Sequence, residues 1–240
     1  MKYCERVYRN KISGNNLTTY QVTVKETDLY ISSDNDLRDI AIKSVYRHRN
    51  TIEEYIKFHP EFSTSLIPVN NDELAPPIIK DMIAAARISG VGPMAAVAGA
   101  IAEYVGLDIL QSNDNVIVEN GGDIFLNTPG GSVRVGIFAG ESPLSNKITL
   151  KIEPEETPLG ICTSSATVGH SLSFGKADAV CVKSKSAALA DAAATSICNL
   201  VKREGDIKEA LDTGSKIEGV LGIVIIAGKK MGASGDIELV

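Results

Sequence analysis

The sequence predicts an α+β fold. Strand-like and helix-like patterns come in separate runs along the 240 residues, without the regular alternation of strand and helix that marks a parallel sheet. Hydrophobic residues make up 44% of the chain, which is enough for a substantial buried core. Because no low-complexity linker or internal repeat interrupts the chain, we expect residues 1–240 to form a single domain.

The N-terminal third begins with a strand pattern and continues with a helical one. Residues 20–32 alternate apolar and polar positions, which predicts a β-hairpin. Residues 35–59 have a polar helix pattern in which Asn50 and Thr51 mark a break, so we expect a helical hairpin there.

Two apolar helices are predicted next. Pro77 follows an Ala-Pro pair and is typical of a first helical turn, so the first helix runs from there to Ser89, with Gly90 behind it. A second helix is expected from Pro93 to Val105, ending at Gly106. Its alanines and glycine allow close approach of a neighbouring backbone.

From residue 115 onward the pattern changes to short strands. A strand broken by a glycine pair is followed by several alternating segments, an alanine-rich helix over 186–200, a polar helix near 206–213, and two final apolar runs. A sheet therefore occupies the second half of the chain.

Charge and hydropathy exclude two classes of partner. The net charge is −6, with 24 Lys and Arg against 30 Asp and Glu and no basic cluster, so nucleic acid is not an expected partner. The longest apolar region, residues 88–106, is interrupted by glycines and a proline and falls short of the roughly 20 apolar residues of a membrane span.

The first ten residues lack the apolar core of a secretory signal, and we expect a cytoplasmic protein.

The alanine-rich helix carries a carboxylate and a hydroxyl four residues apart. Asp191 and Thr195 project from one face at this spacing, where their oxygens can converge on a small hard cation such as Mg²⁺. Alternatively, Asp191 complements the dipole of its own helix while Thr195 bonds to a carbonyl of the preceding turn. The helix by itself favours this second interpretation.

Two glycine-rich turns could receive an anion. Gly121 and Gly122 follow a strand and permit a sharp turn with exposed amides, and Asp123 adds a hydrogen-bond acceptor. Gly90 and Gly92 lead into a helix N-terminus, which favours bound anions. The interpretation without a ligand is an ordinary glycine turn for the first motif and a tight connection between two helices for the second.

Taken in order, these segments resemble the ApbE superfamily, whose characterised members are FAD:protein FMN transferases. The matching segments are the glycine-rich turn into a helix, then "VIVENGGDI", "CTSSATVGH" and "LADAAAT". The match covers about residues 85–200, and the ordered combination is more specific than any single motif. "GVGPMAAVAGAIAE", "HSLSFGKADAV" and the terminal "GDIEL" are most similar to uncharacterised protein family 0280, an ApbE-like group associated with methanogens and other anaerobes.

The resemblance implies a mainly antiparallel sheet packed with helices and a magnesium-dependent site for FAD or a related flavin nucleotide. Asp191 and Thr195 match the superfamily's magnesium ligands, which reverses the preference stated for the isolated helix. The remaining implied site residues are Gly90 and Gly92 near a ligating carbonyl, Gly121, Gly122 and Asp123 beside the flavin nucleotide, and Thr163, Ser164 and His170 lining the same cleft. His170 is the candidate acid or base, with Asp123 as a second catalytic candidate. A surface-loop position is the other interpretation of His170.

The chain departs from the superfamily pattern at two polar positions. Met94 stands at the family's lysine and Gly99 at its aspartate, and the segment after His170 is shorter and lacks a proline. These departures put the flavin pocket and the transfer chemistry in question, while the phosphate pocket is less affected.

We therefore expect an ApbE-like protein that binds a flavin or other nucleotide with Mg²⁺ and carries out nucleotidyl (FMN) transfer. The expected acceptor is a protein substrate, and the expected assembly is a homodimer. One alternative is a binding protein without catalysis. Another is an auxiliary protein of anaerobic sulfur assimilation into cysteine or homocysteine, with Cys162 as the thiol to test. The four cysteines show no metal or disulfide spacing, and a buried strand cysteine is the simpler interpretation of Cys162.

Overall fold

A computed structural model of the chain describes residues 17–168 and 174–240. The strands are β1 Thr18–Val24, β2 Thr27–Ser33, β3 Val116–Asn120, β4 Asp123–Asn127, β5 Val133–Gly136, β6 Thr149–Ile152, β7 Leu159–Ser164, β8 Ala179–Ser184, β9 Val220–Ala227, β10 Lys230–Gly235 and β11 Glu238–Leu239. The α-helices are α1 Arg38–Phe58, α2 Glu61–Thr64, α3 Pro77–Ser89, α4 Val97–Ile109, α5 Ala187–Leu200 and α6 Ile207–Gly214.

The strands form one large sheet and one small sheet. The large sheet has eight strands in the order β1-β2-β3-β4-β7-β8-β9-β10, and the small sheet has three in the order β11-β6-β5. All the paired strands are antiparallel. The predicted α+β class and the mainly antiparallel sheet are therefore confirmed.

Two cores lie on opposite faces of the large sheet. On one face the helices pack over alternate strand residues such as Val118, Phe125 and Val182. On the other face the small sheet covers the intervening residues, including Ile117 and Leu126. Since successive side chains of a strand point to opposite faces, the alternation in β3 and β4 supplies both cores.

The chain end joins the two sheets through a buried cation. The Lys183 ammonium of β8 forms ion pairs with Glu156 and with Asp236, the latter at 2.9 Å. The terminal "GDIEL" segment thereby crosses to the small sheet, where β11 pairs with β6.

The helical hairpin expected over residues 35–59 is wrong, because α1 is one continuous helix. The Thr51 hydroxyl donates to the Arg47 carbonyl at 2.9 Å, one turn back, so this polar residue fits within the helix. The Arg49–Glu53 ion pair at 3.0 Å bridges the same region.

The first apolar helix begins as predicted, whereas the second opens with a 3-10 turn at Pro93 and does not end at Gly106. α3 runs from Pro77 to Ser89, and Gly90 closes it in the left-handed conformation with φ of 71°. α4 follows a short 3-10 turn over Pro93–Ala96 and continues through Gly106 to Ile109. A Cβ at position 106 would lie 2.2 Å from Phe125 Cδ1, so this glycine serves close packing on the sheet rather than helix termination.

Within the described residues, no single helix has the length and apolar character to cross a membrane. α3 and the segment Pro93–Ile109 meet those criteria only when taken together, and they are bent by 106° at their junction.

We predict that Gly106→Ala destabilises the protein by about 1–3 kcal/mol, the typical cost of overpacking a core. The added methyl collides with the Phe125 ring, which outweighs the better helix propensity of alanine. Urea unfolding measures the change. Gly131→Ala is the control, because a Cβ there meets no atom within 4 Å; equal stability of the two variants would contradict the packing role of Gly106.

Candidate functional site

The candidate site is built on a close crossing of α4 and α5. A Cβ added at Gly99 would lie 2.2 Å from the Ala187 carbonyl oxygen and 2.9 Å from Asp191 Cβ. Atoms cannot approach that closely, so only glycine fits at position 99 with this helix spacing. Position 99 is therefore closed to any side chain at the helix spacing of this protein.

Asp191 lies at this crossing and caps the other helix. The Gly99 amide donates to Asp191 Oδ2 at 2.9 Å, and the Ala98 amide bonds to the same carboxylate. Both amides belong to the first turn of α4, whose N-terminus attracts negative charge. The alternative in which Asp191 complements its own helix is wrong, since α5 has no acidic residue in its first turn and Ser186 is its N-cap.

Glu103 makes the reciprocal interaction from α4 to α5. Its Oε2 accepts the amides of Ala187 and Ala188 at 2.8 and 3.2 Å and the Ser186 hydroxyl at 3.1 Å. Each helix thus receives a carboxylate from the other at its N-terminus. These bonds satisfy backbone donors that the first turn of a helix leaves free.

Asp123 faces the same crossing from the sheet. It begins β4 and pairs with Cys162 of β7, and its Oδ1 accepts the Thr163 amide at 3.3 Å. The charge of Asp191 acts directly on the Asp123 carboxyl. The structure therefore brings Asp123 and Asp191 within electrostatic reach of each other.

Both carboxyl groups hold their protons more tightly than a free aspartate. Desolvation raises the pKa of Asp191 to about 7, and the donors from Gly99 and Ala98 partly oppose this rise. Desolvation also raises the pKa of Asp123 well above its usual range, and the nearby charge of Asp191 adds to the effect. The charge of an ionised Asp191 thus opposes ionisation of Asp123.

The glycine turn next to Asp123 is a tight hairpin between β3 and β4. Gly121 and Gly122 have φ of 70° and 111°, in the region that favours glycine. The Gly122 amide donates to the buried Glu119 carboxylate at 2.7 Å. This amide is already bonded and is not an open anion donor in the structure.

The neighbouring Asn120 links the hairpin to the helix layer. Its Nδ2 donates to the Ala98 carbonyl at 3.0 Å, at the start of α4. The hairpin and the helix crossing are therefore held in a fixed relation to each other.

Thr163 and Ser164 point to opposite faces of β7. Thr163 contributes its backbone amide to Asp123, whereas its side chain bonds to the Cys181 thiol on the small-sheet side. Ser164 lies on the helix side with Cys162, is 6% exposed, and has a buried Oγ that finds no hydrogen-bond partner among residues 17–168 and 174–240. Buried hydroxyls of this kind are uncommon in folded proteins.

Gly90 and Gly92 have different structural roles. Gly90 ends α3 in the left-handed conformation, where a Cβ would meet no atom within 4 Å. A Cβ at Gly92 would lie 1.8 Å from the Ser65 carbonyl oxygen, so this glycine permits close packing. Met94 packs half-buried against the helix-side core.

The remaining predicted residues are less constrained. Thr195 follows Asp191 by one turn on α5 and is half-buried. His170 lies outside the described residues. Among residues 17–168 and 174–240, no group of three or more His, Cys, Asp and Glu side chains could hold a metal ion, so any cation here needs hydroxyl or carbonyl ligands as well.

Cys162 is a buried thiol within the site. It is fully buried and donates to the Ala187 carbonyl at 3.3 Å. Burial raises its pKa well above the ordinary range, with the Asp123 charge adding to the effect. Its thiol is therefore protonated at neutral pH and unsuited to nucleophilic sulfur chemistry.

Sequence reasoning missed Glu103 and Asn120 as parts of this arrangement. Glu103 interrupts the apolar run of residues 88–106, and a carboxylate in such a run indicates a specific partner. Asn120 lies inside the quoted hairpin motif, directly before the two glycines.

Comparison with known proteins gives matches over nearly the whole chain. A family model described as "AbpE bacteria" matches residues 9–233. The chain is 42% identical over 223 residues to a UPF0280 protein of Methanococcus aeolicus, covering 90% of each chain. It is 44% identical over 225 residues to a UPF0280 protein of Methanopyrus kandleri, covering 90% of this chain and 89% of the relative.

Two solved structures share the fold. The Pseudomonas stutzeri flavinyl transferase ApbE, in its apo form, matches with a TM-score of 0.51 at 14% identity, covering 91% of this chain and 93% of that one. The ApbE protein of Thermotoga maritima matches with a TM-score of 0.53 at 13% identity, covering 91% and 97%. At these identities the likeness establishes the fold alone.

We predict that the Asp191 carboxyl lowers the stability of the metal-free protein as pH rises. Its folded pKa of about 7 lies above that of an unfolded aspartate, so its favourable contribution is complete below about pH 4 and is lost as pH rises through 7. Asp191→Asn mimics the neutral acid. Between pH 5 and pH 8, wild type should therefore lose roughly 1–3 kcal/mol relative to this variant.

Urea unfolding at both pH values, with a chelator present, measures this difference. Asp212→Asn, an exposed position on α6, is the control and should follow wild type. The same pH dependence in wild type and Asp191→Asn would show that Asp191 ionises normally.

Proposed function

Since this chain belongs to the UPF0280 family within the ApbE-like superfamily, we propose that its carboxylate cleft binds a flavin nucleotide or related diphosphate with Mg²⁺ and supports nucleotidyl (FMN) transfer. The proposal extends to this chain the flavin chemistry named for its structural neighbours. It depends on the groups gathered where α4, α5 and the β3–β4 hairpin meet.

The observation that carries the proposal is the pairing of Asp123 and Asp191. Two interacting carboxylates in a desolvated site are unfavourable at neutral pH unless a proton or a cation compensates them. Their oxygens are the ligands that Mg²⁺ prefers. A bound cation would remove the repulsion that raises both pKa values.

The described residues fit a magnesium site of mixed ligands. Asp191 and Thr195 would hold the ion from α5, with Asp123 opposite them on β4. The buried Ser164 Oγ has no partner within the described part of the chain and would offer one more oxygen to a ligand or its water shell. When bound, Mg²⁺ would neutralise charge on diphosphate oxygens and on the leaving phosphate.

The chain's own groups have separate parts in the proposed transfer. The Gly121–Gly122 turn would leave room for the nucleotide beside Asp123, because neither glycine has a side chain. A hydroxyl of the acceptor would form a bond to the FMN phosphorus of FAD while the bond from that phosphorus to the bridging oxygen breaks and AMP leaves. Because Asp123 would be committed to the cation, His170 would take the acceptor's proton.

A non-catalytic flavin-binding protein is the second candidate, favoured by the packing around Gly99. The backbone contact with Ala187 excludes the family's aspartate, and Met94 replaces its lysine, so two polar groups of the superfamily's site are missing. Identification of the small molecule released by denaturing the purified protein, combined with an assay for FMN transfer to protein, separates the candidates. Cys162, being buried and protonated, gives no support to the sulfur-assimilation alternative.

We predict that Asp191→Asn and Thr195→Val each weaken Mg²⁺-dependent binding of FAD by tenfold or more, about 1.4 kcal/mol or above. The first removes a charge at nearly constant size, and the second removes a hydroxyl at constant shape. The double variant should lose less than the sum of the two, because both side chains act on one ion. Isothermal titration of FAD with and without Mg²⁺ gives the affinities.

Asp212→Asn and Thr213→Val are the matched controls, since they make the same changes on the exposed side of α6. Both should bind FAD like wild type. Binding that is independent of Mg²⁺ and equal in all variants would overturn the proposed site.

A further inference from the structure

Glu103 is a carboxylate of the helix crossing that the proposed chemistry does not use. It lies half-buried on α4, and its Oε2 accepts three donors from the start of α5. Burial raises its pKa, while the donors from Ala188, Ser186 and Ala187 oppose the rise. A side chain that takes three bonds through one oxygen strongly restricts where the first turn of α5 can lie.

The geometry connects this cap to Asp191. Glu103 lies four residues after Gly99 on α4, and Asp191 lies four residues after Ala187 on α5, so each carboxylate is one turn from the end that the other caps. The contact between Gly99 and Ala187 limits how closely the helices approach. Glu103 determines where along its axis α5 begins, and therefore where Asp191 lies relative to Gly99 and Asp123.

We propose that Glu103 is a positioning residue for the carboxylate cleft. It touches no ligand and acts through Asp191, by holding α5 in the axial position that places the Asp191 carboxylate against the Gly99 amide and opposite Asp123. The consequence for binding rests on the proposed function, whereas the placement of α5 does not.

Two variants test this role. Glu103→Met keeps the length of the side chain but removes its acceptors, and Glu103→Gln keeps one acceptor oxygen without the charge. Glu103→Met should shift the ¹H–¹⁵N resonance of Gly99, because its hydrogen bond to Asp191 changes. It should also weaken Mg²⁺-dependent FAD binding, because the shift of α5 moves Asp191 from its proposed ligand position. Glu103→Gln should show the same changes at smaller size.

Asp108→Asn is the matched control on the same helix. Asp108 accepts bonds from Ser44 and from His48, at 2.9 Å, and so joins α4 to α1 instead of α5. Its loss should lower thermal stability but leave the Gly99 resonance and FAD affinity unchanged. A purely stabilising role of Glu103 would give the same result as this control.

An unchanged Gly99 resonance in the Glu103 variants would overturn the inference. If Glu103→Met does not fold, the Gly99 resonance of Glu103→Gln decides. If wild type binds no FAD in the presence of Mg²⁺, the proposed function fails separately. The Gly99 resonance then still decides whether Glu103 positions α5.

Discussion

The arrangement of the site depends on the close crossing of α4 and α5. Small residues bring the two backbones into contact at Gly99 and Ala187, and each helix offers a carboxylate to the N-terminus of the other. Helix N-termini carry partial positive charge and free amides, so a buried acid there is partly compensated. This exchange lets two acids remain in an otherwise alanine-rich interface.

The sheet adds a second set of constraints. The β3–β4 hairpin carries Asp123 next to its turn, and Asn120 bonds the hairpin to the α4 backbone. Within the hairpin, the Glu119 carboxylate accepts the Gly122 amide. The site is thus formed where a helix pair and a hairpin meet. Asp123 and Asp191 stay close despite their repulsion, because separating the hairpin from α4 would break the bond between Asn120 and the Ala98 carbonyl.

Local patterns in the sequence were sufficient for most elements and for the motif residues. A proline at its start and a glycine behind its end predicted α3. The apolar strand pattern predicted the strands on both sides of the Gly121–Gly122 turn. Local patterns did not predict contacts between distant residues. Gly106 is typical of a helix end, but it lies inside α4 and faces Phe125. Thr51 is typical of a helix break, but its hydroxyl bonds to a carbonyl within α1. Likewise, Asp191 and Thr195 could be paired by spacing, whereas the carboxylate exchange with Glu103 required knowledge of which helices cross.

The contact at Gly99 also couples two positions that are far apart in the sequence. Any side chain larger than glycine at position 99 would require α5 to move away from α4, and such a movement would separate Asp191 from the amides it caps. The size of the residue at position 99 therefore decides whether Asp191 keeps its hydrogen bonds.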